Sequence, residues 1–124
     1  MTSTINSDQR NTWETYVSAW REASAEGKRA ALKRCAAPDC VYQDPLTVAE
    51  GQEALVDYML AFHQQVPGGH FVTSYFLAHH DASIAKWNMV DGEGATIGEG
   101  VSYGRYNEQG ALIAMTGFFE TPAR

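Results

Sequence analysis

The sequence predicts an α+β domain: three N-terminal helices packed on the hollow side of a curved antiparallel β-sheet. Three observations lead there. Apolar residues recur at helical spacing in the first half of the chain and alternate in the second, so a run of helices precedes a run of strands. The later segments are joined by turns too short for a crossover, which forces antiparallel pairing. Gly98, Gly100 and Gly104 interrupt the longest of them, as expected of a strand that bends or bulges. Such a sheet with helices across its concave side encloses a cone. Helices cannot fill a cone, so a pocket at its open end is expected.

The elements follow in order. Residues 1–6 read as a flexible N-terminal tail, 7–120 as a single domain and 121–124 as a C-terminal tail. Ser7 or Asp8 caps the first helix, and Trp13, Tyr16, Val17 and Trp20 form its one-sided apolar stripe. The helix is expected to end near Ser24 to Gly27, with Gly27 as the stop. A second helix over 28–36 turns Ala31, Leu32, Cys35 and Ala36 inward and is broken by Pro38–Asp39. Cys40–Asp44 is a short strand ended by Pro45, and Leu46–Glu50 is a loop. Gly51 opens a third helix carrying Leu55, Tyr58, Met59 and Phe62, which Pro67–Gly68–Gly69 stops. Strands follow over His70–His80, Ser83–Val90, Ala95–Tyr106 and Ala111–Glu120. In the first of these, strict alternation puts Phe71, Thr73, Tyr75 and Leu77 on one face and Val72, Ser74, Phe76 and Ala78 on the other.

Composition excludes several classes. The chain has 124 residues, one domain by length, with 44% apolar and 19% charged residues. A net charge of −6 with scattered basic residues argues against nucleic acid or an anionic membrane as partner. The densest basic group, Lys28, Arg29, Lys33 and Arg34, reads as a solvated helix face. No apolar run nears the ~18–20 residues of a membrane span. The polar N-terminus has no signal-peptide core, so a cytoplasmic protein is expected. Cys35 and Cys40 read as buried reduced thiols.

Several segments together carry a resemblance: Tyr16-Val17-Ser18-Ala19-Trp20, Tyr42-Gln43-Asp44-Pro45-Leu46, Gly51 to Tyr58, Trp87, Asn107 to Leu112 and Thr116 to Glu120. In this order and spacing the chain resembles the NTF2-like superfamily, in particular its ketosteroid-isomerase-like and SnoaL-like (polyketide cyclase) branches. The resemblance implies a cone-shaped NTF2-like fold, a homodimer formed through the sheet face, and cofactor-independent proton transfer next to a carbonyl. The same fold also hosts epoxide hydrolases, dehydratases and non-catalytic binders.

Candidate site residues follow, with no cofactor and no metal expected. Asp44 matches the general base of the isomerases; it reads equally as a residue that orders the turn before Pro45. Tyr16 matches the tyrosine that donates to a developing oxyanion, or is a core tyrosine. Ser102 falls where the isomerases place a protonated aspartic acid as second donor, and their supporting tyrosines fall near Ala36 and Met59, with Tyr58 one residue off. Trp20, Tyr58, Phe62, Trp87, Met89, Met115 and Phe119 are expected to wall a pocket for a small hydrophobic carbonyl-containing ligand. His79 is a proton-transfer candidate only if it faces inward; His63 reads as helix surface. Glu99 and Arg105 read as an ion pair on the outer face. The functions that follow are an isomerase, cyclase or dehydratase-like enzyme, a non-catalytic binder of small hydrophobic ligands, or an assembly domain with a collapsed cone.

Overall fold

The computed structural model describes the backbone of residues 2–121 and the side chains of residues 8–121; Met1 and residues 122–124, most of the expected C-terminal tail, lie outside the described residues. The elements are α1 (Thr2–Arg21), α2 (Ala25–Cys35), β1 (Ala36–Asp44), β2 (Thr47–Glu50), α3 (Gln52–Gln65), β3 (His70–His79), β4 (Ala82–Val90), β5 (Thr96–Tyr106) and β6 (Leu112–Phe118). The six strands form one sheet in the order β2-β1-β6-β5-β4-β3. All neighbours run antiparallel except β1 and β6, which are parallel and joined through the rest of the domain. Helix α1 crosses the sheet at β3, and α3 lies over β1 and β2. This is the expected α+β architecture. No described helix is long and apolar enough to cross a membrane.

The core sits where the three helices meet the sheet. Trp13, Leu32, Leu55, Val56, Met59 and Leu112 are all buried there. Cys35 and Cys40 are free and buried, and desolvation pushes their thiols up to about 12 and about 11.

Several boundaries depart from expectation. Helix α1 begins at Thr2 rather than at Ser7 or Asp8, since nothing in Thr2–Asn6 breaks a helix. It ends at Arg21, well before Gly27. Gly27 instead lies in the first turn of α2, where its N–H donates to the Oγ of the cap Ser24 at 3.0 Å. Strand β1 starts at Ala36, with an irregular stretch before Val41. The expected loop over Leu46–Glu50 holds a sixth, short strand, β2, folded back on β1.

Lys28 is the clearest correction. It is fully buried rather than solvated. Its Nζ donates to the carbonyls of Ala19, Trp20 and Glu22 at 3.2, 3.4 and 2.5 Å, so α2 supplies the cap for the unpaired carbonyls ending α1. His63 stands behind it, half-buried rather than on the surface: Nδ1 is 3.4 Å from Lys28 Nζ and Nε2 is 3.0 Å from the Gly69 carbonyl. A carbonyl only accepts, so Nε2 carries the proton and Nδ1 presents its lone pair to the lysine, whose three N–H groups are shared among four acceptors.

Two irregularities shape the sheet. A bulge in β3 between Thr73 and Tyr75 reverses the expected alternation. Phe71 and Phe76 both face the core in consequence, while Tyr75 and Leu77 are exposed. In β5 the pairing with β4 runs unbroken from Arg105 to Gly98 and shifts between Gly98 and Thr96, so Gly98 adjoins a bulge while Gly100 and Gly104 lie in regular strand. They clear space: a side chain at Gly104 would strike Trp13 and Ser83, and one at Gly100 would strike the Trp87 ring.

Desolvation, opposed in part by the charge of Glu22, moves Lys28 down from 10.5 to about 8. Between those values the unfolded chain holds the proton more tightly, so stability rises with pH across the window. Denaturant unfolding is expected to show a gain of about 1 kcal/mol from about pH 8 to about pH 9.5, and Lys28→Met is expected to abolish that slope.

Candidate active site

A cavity of about 310 Å³ opens between α1, α3 and the concave face of the sheet. Trp20 anchors its apolar wall. The rings of Tyr42, Tyr58, Phe62 and Phe71 lie 5.6, 6.1, 5.6 and 5.3 Å from the Trp20 ring, most of them edge to face. Tyr16, Asp44 and Ser102 all line this cavity, together with six of the residues expected to wall it: Trp20, Tyr58, Phe62, Trp87, Met89 and Phe119. Met115 does not. It is 1% exposed and belongs to the core, because on β6 it lies two residues deeper than Gly117, where the helices close over the sheet.

Asp44 ends β1 at the cavity edge, and four donors hold it. Oδ1 accepts from the backbone N–H of Leu46 (2.8 Å) and Thr47 (3.1 Å), which builds the turn into β2. Oδ2 accepts from the hydroxyls of Tyr42 (2.5 Å) and Tyr58 (2.9 Å). The turn-ordering role and the cavity-facing role are thus divided between the two oxygens of one side chain. Burial, reinforced by the neighbouring Tyr16 and by Asp44, holds Tyr42 far above the usual phenol value of 10. Burial and then Asp44 do the same for Tyr58. Both tyrosines are donors to Asp44 across the ordinary pH range.

Tyr16 is buried under α1, 4% exposed. Desolvation raises its phenol well above 10; the Trp20 side chain acts in the opposite direction, and the charge of Asp44 adds to the rise. Across the cavity, Trp87 lies over Gly100 and its indole N–H donates to Ser102 Oγ at 2.9 Å. Ser102 therefore faces inward from β5.

The remaining candidates lie elsewhere. His79 is exposed, its ring lies 3.1 Å from that of His80, Nδ1 to Nδ1, and it does not line the cavity. Arg105 pairs with Asp81 at 3.4 Å rather than with Glu99. The described residues contain no group of three His, Cys, Asp or Glu side chains able to hold a metal ion.

Sequence reasoning missed the grip of Tyr42 and Tyr58 on Asp44. Tyr42 was within reach of it, since residues two apart on a strand share a face. Tyr58 was not, because α3 meets β1 only through the fold. The supporting tyrosines thus gather on Asp44, while Ala36 and Met59 are plain core.

The fold and site define a class: an NTF2-like cone with an aromatic cavity and one acidic side chain at its polar end. The sequence profile of the SnoaL-like domain matches residues 17–115, and the chain belongs to that family. Among solved structures, a proposed isomerase of the SnoaL-like family from Agrobacterium tumefaciens is 25% identical, with a TM-score of 0.85 over 93% of this chain and 99% of that one. A proposed SnoaL-like polyketide cyclase from a Jannaschia species is 15% identical, with a TM-score of 0.77 over 94% and 88% of the two chains. An NTF2-like protein of unknown function from Cytophaga hutchinsonii is 12% identical, with a TM-score of 0.68 over 90% and 89%. The last two share the fold alone. No curated protein matches the sequence.

Removing one hydroxyl from the Asp44 cluster leaves a half-buried carboxylate short of a donor. Tyr58→Phe is expected to lower unfolding free energy by about 1.5 kcal/mol, read from denaturant midpoints at constant m.

Proposed function

We propose that this protein is a small-molecule enzyme that moves a proton next to a carbonyl, without a cofactor, on a flat apolar ligand held in the cone. The observation that carries the reading is the placement of the Asp44 carboxylate, with its phenolic donors, at the rim of an aromatic cavity of about 310 Å³. The ligand C–H bond breaks and its proton passes to Asp44 Oδ2; the electron pair moves onto the carbonyl oxygen as an enolate. Negative charge leaves the carboxylate and appears on the ligand in one step. Hydrogen-bond donors follow charge, so the Tyr58 hydroxyl, the more exposed of the two donors, is free to leave Oδ2 as the proton arrives. Tyr16 supplies a donor for the enolate oxygen in a site that excludes much of the water, where such a bond is strongest. Ser102 is a second polar anchor on the opposite wall.

The alternative is a non-catalytic binder of small hydrophobic ligands, and one feature favours it. All four lone-pair directions of Asp44 are occupied, so a base would first have to shed a donor. Asp44→Asn separates the two. With a panel of aromatic and polyketide-like ketones, proton exchange at the carbon beside the carbonyl is followed by deuterium incorporation. The enzyme reading expects exchange in the wild type and a loss of at least about 100-fold in the variant, with ligand affinity nearly kept. Saturable binding with no exchange in the wild type favours the binder.

The reading includes a homodimer through the outer sheet face. Phe118, Val101, Lys86 and Tyr75 form one row across four adjacent strands, and Tyr103, Ile84 and Leu77 form a second. Val72, Tyr75, Leu77, Ile84, Val101 and Phe118 are exposed there. Lys86 and Glu99 bring opposite charges to the same face, so a two-fold axis can pair them between copies. Sedimentation at micromolar concentration is expected to give a dimer mass, and Val101→Lys a monomer with an unchanged fold; a monomeric wild type refutes the interface.

A further inference from the structure

Gly117 lies at the polar end of the cavity, paired with Ser102 on the neighbouring strand. A Cβ built on it would stand 3.6 Å from the Tyr42 hydroxyl oxygen, 3.8 Å from Ser102 Oγ and 3.6 Å from Asp44 Cβ. The missing side chain thus leaves an opening with two hydroxyl oxygens on its rim. The backbone does not require glycine here: among the described glycines, positive φ is confined to Gly51, Gly68, Gly94 and Gly110.

The protons on that rim are already assigned. Tyr42 gives its proton to Asp44 Oδ2 at 2.5 Å, so toward the opening it presents a lone pair. Ser102 Oγ receives the Trp87 indole N–H at 2.9 Å. An indole N–H only donates, so the serine keeps its own proton free to point into the opening. One rim oxygen therefore accepts and the other donates.

We propose that this opening is a hydroxyl slot, and that the ligand carries a hydroxyl group, as a phenol, enol or alcohol, seated over Gly117 between Tyr42 and Ser102. A hydroxyl donates to the first and accepts from the second. A carbonyl or ether oxygen only accepts and leaves Tyr42 unanswered. An ammonium only donates and leaves Ser102 unanswered. A carboxylate fails twice: it only accepts, and it stands beside Asp44 in a cavity whose lining holds no Lys, Arg or His among the described residues. The inference rests on the cavity of the proposed function binding a flat apolar molecule, and not on Asp44 acting as a base.

Calorimetric titration of the full chain with β-naphthol, its methyl ether, naphthalene and β-naphthoate tests it. The expected order has β-naphthol binding roughly tenfold or more tighter than the methyl ether, with β-naphthoate not bound. Gly117→Ala fills the slot with a methyl group at ordinary contact distances and is expected to shrink that preference to about twofold, with naphthalene affinity little changed. Ser102→Ala is expected to shrink it likewise, and it carries the test if the alanine at 117 impairs folding. Equal affinity for naphthol and ether in the wild type, as when a water keeps the slot, overturns the inference. So does a preference that survives both substitutions, or a failure of every probe to bind. A preserved hydroxyl preference without deuterium exchange strikes only the catalytic reading; exchange without the preference strikes only the slot.

Discussion

One carboxylate holds the working end of this molecule together. Asp44 receives two backbone N–H groups from the turn it starts and two phenols from separate elements. Through Oδ1 it fixes the β1–β2 hairpin, and through Oδ2 it ties β1 to α3. A half-buried charge is tolerable only when its lone pairs are met. That requirement sets where Tyr42 and Tyr58 must stand, and therefore the form of the cavity's polar end. The interaction that orders the fold at this corner is the same one that places a charge inside it.

A second buried charge, of the other sign, serves the helix ends. Lys28 reaches back from α2 to the carbonyls that end α1, and His63 of α3 completes its surroundings. One ammonium thus joins all three helices at the end of α1, whose last carbonyls have no partner within their own helix. Between these two polar anchors the cone is filled by rings. Gly100 and Gly104 let Trp87 and Trp13 lie close against β5. The rings of Tyr58, Phe62 and Phe71 pack edge to face on Trp20, and the cavity they line extends to Asp44.

That remaining space has a consistent chemistry. Its walls are aromatic, its single charge is negative, and its polar rim alternates acceptor and donor. Membership of the SnoaL-like family gives the fold, while solved proteins of the same shape carry different proposed activities. The chemistry of any ligand must therefore be argued from the protons on Tyr42, Tyr58 and Ser102 rather than from the architecture.

The amino-acid order was enough to determine the order of the helices and of five of the six strands, the concave sheet and most of the cavity wall. These rest on local periodicity: the Trp13–Trp20 stripe, the Leu55–Phe62 stripe and the stop at Pro67–Gly68–Gly69 are written in adjacent residues. Asp44, Tyr16 and Ser102 were legible as cavity residues for the same reason, with the family resemblance added. Tertiary structure alone decided the rest. The bulge at Ser74 turned Tyr75 outward because register is set between strands, not within one. Lys28 went inside because the carbonyls it serves belong to another helix. Tyr58 reached Asp44, and Met115 sank into the core, because depth within a cone depends on which elements converge above a residue. A side chain's spacing tells which way it faces; only the packed molecule tells what it meets there.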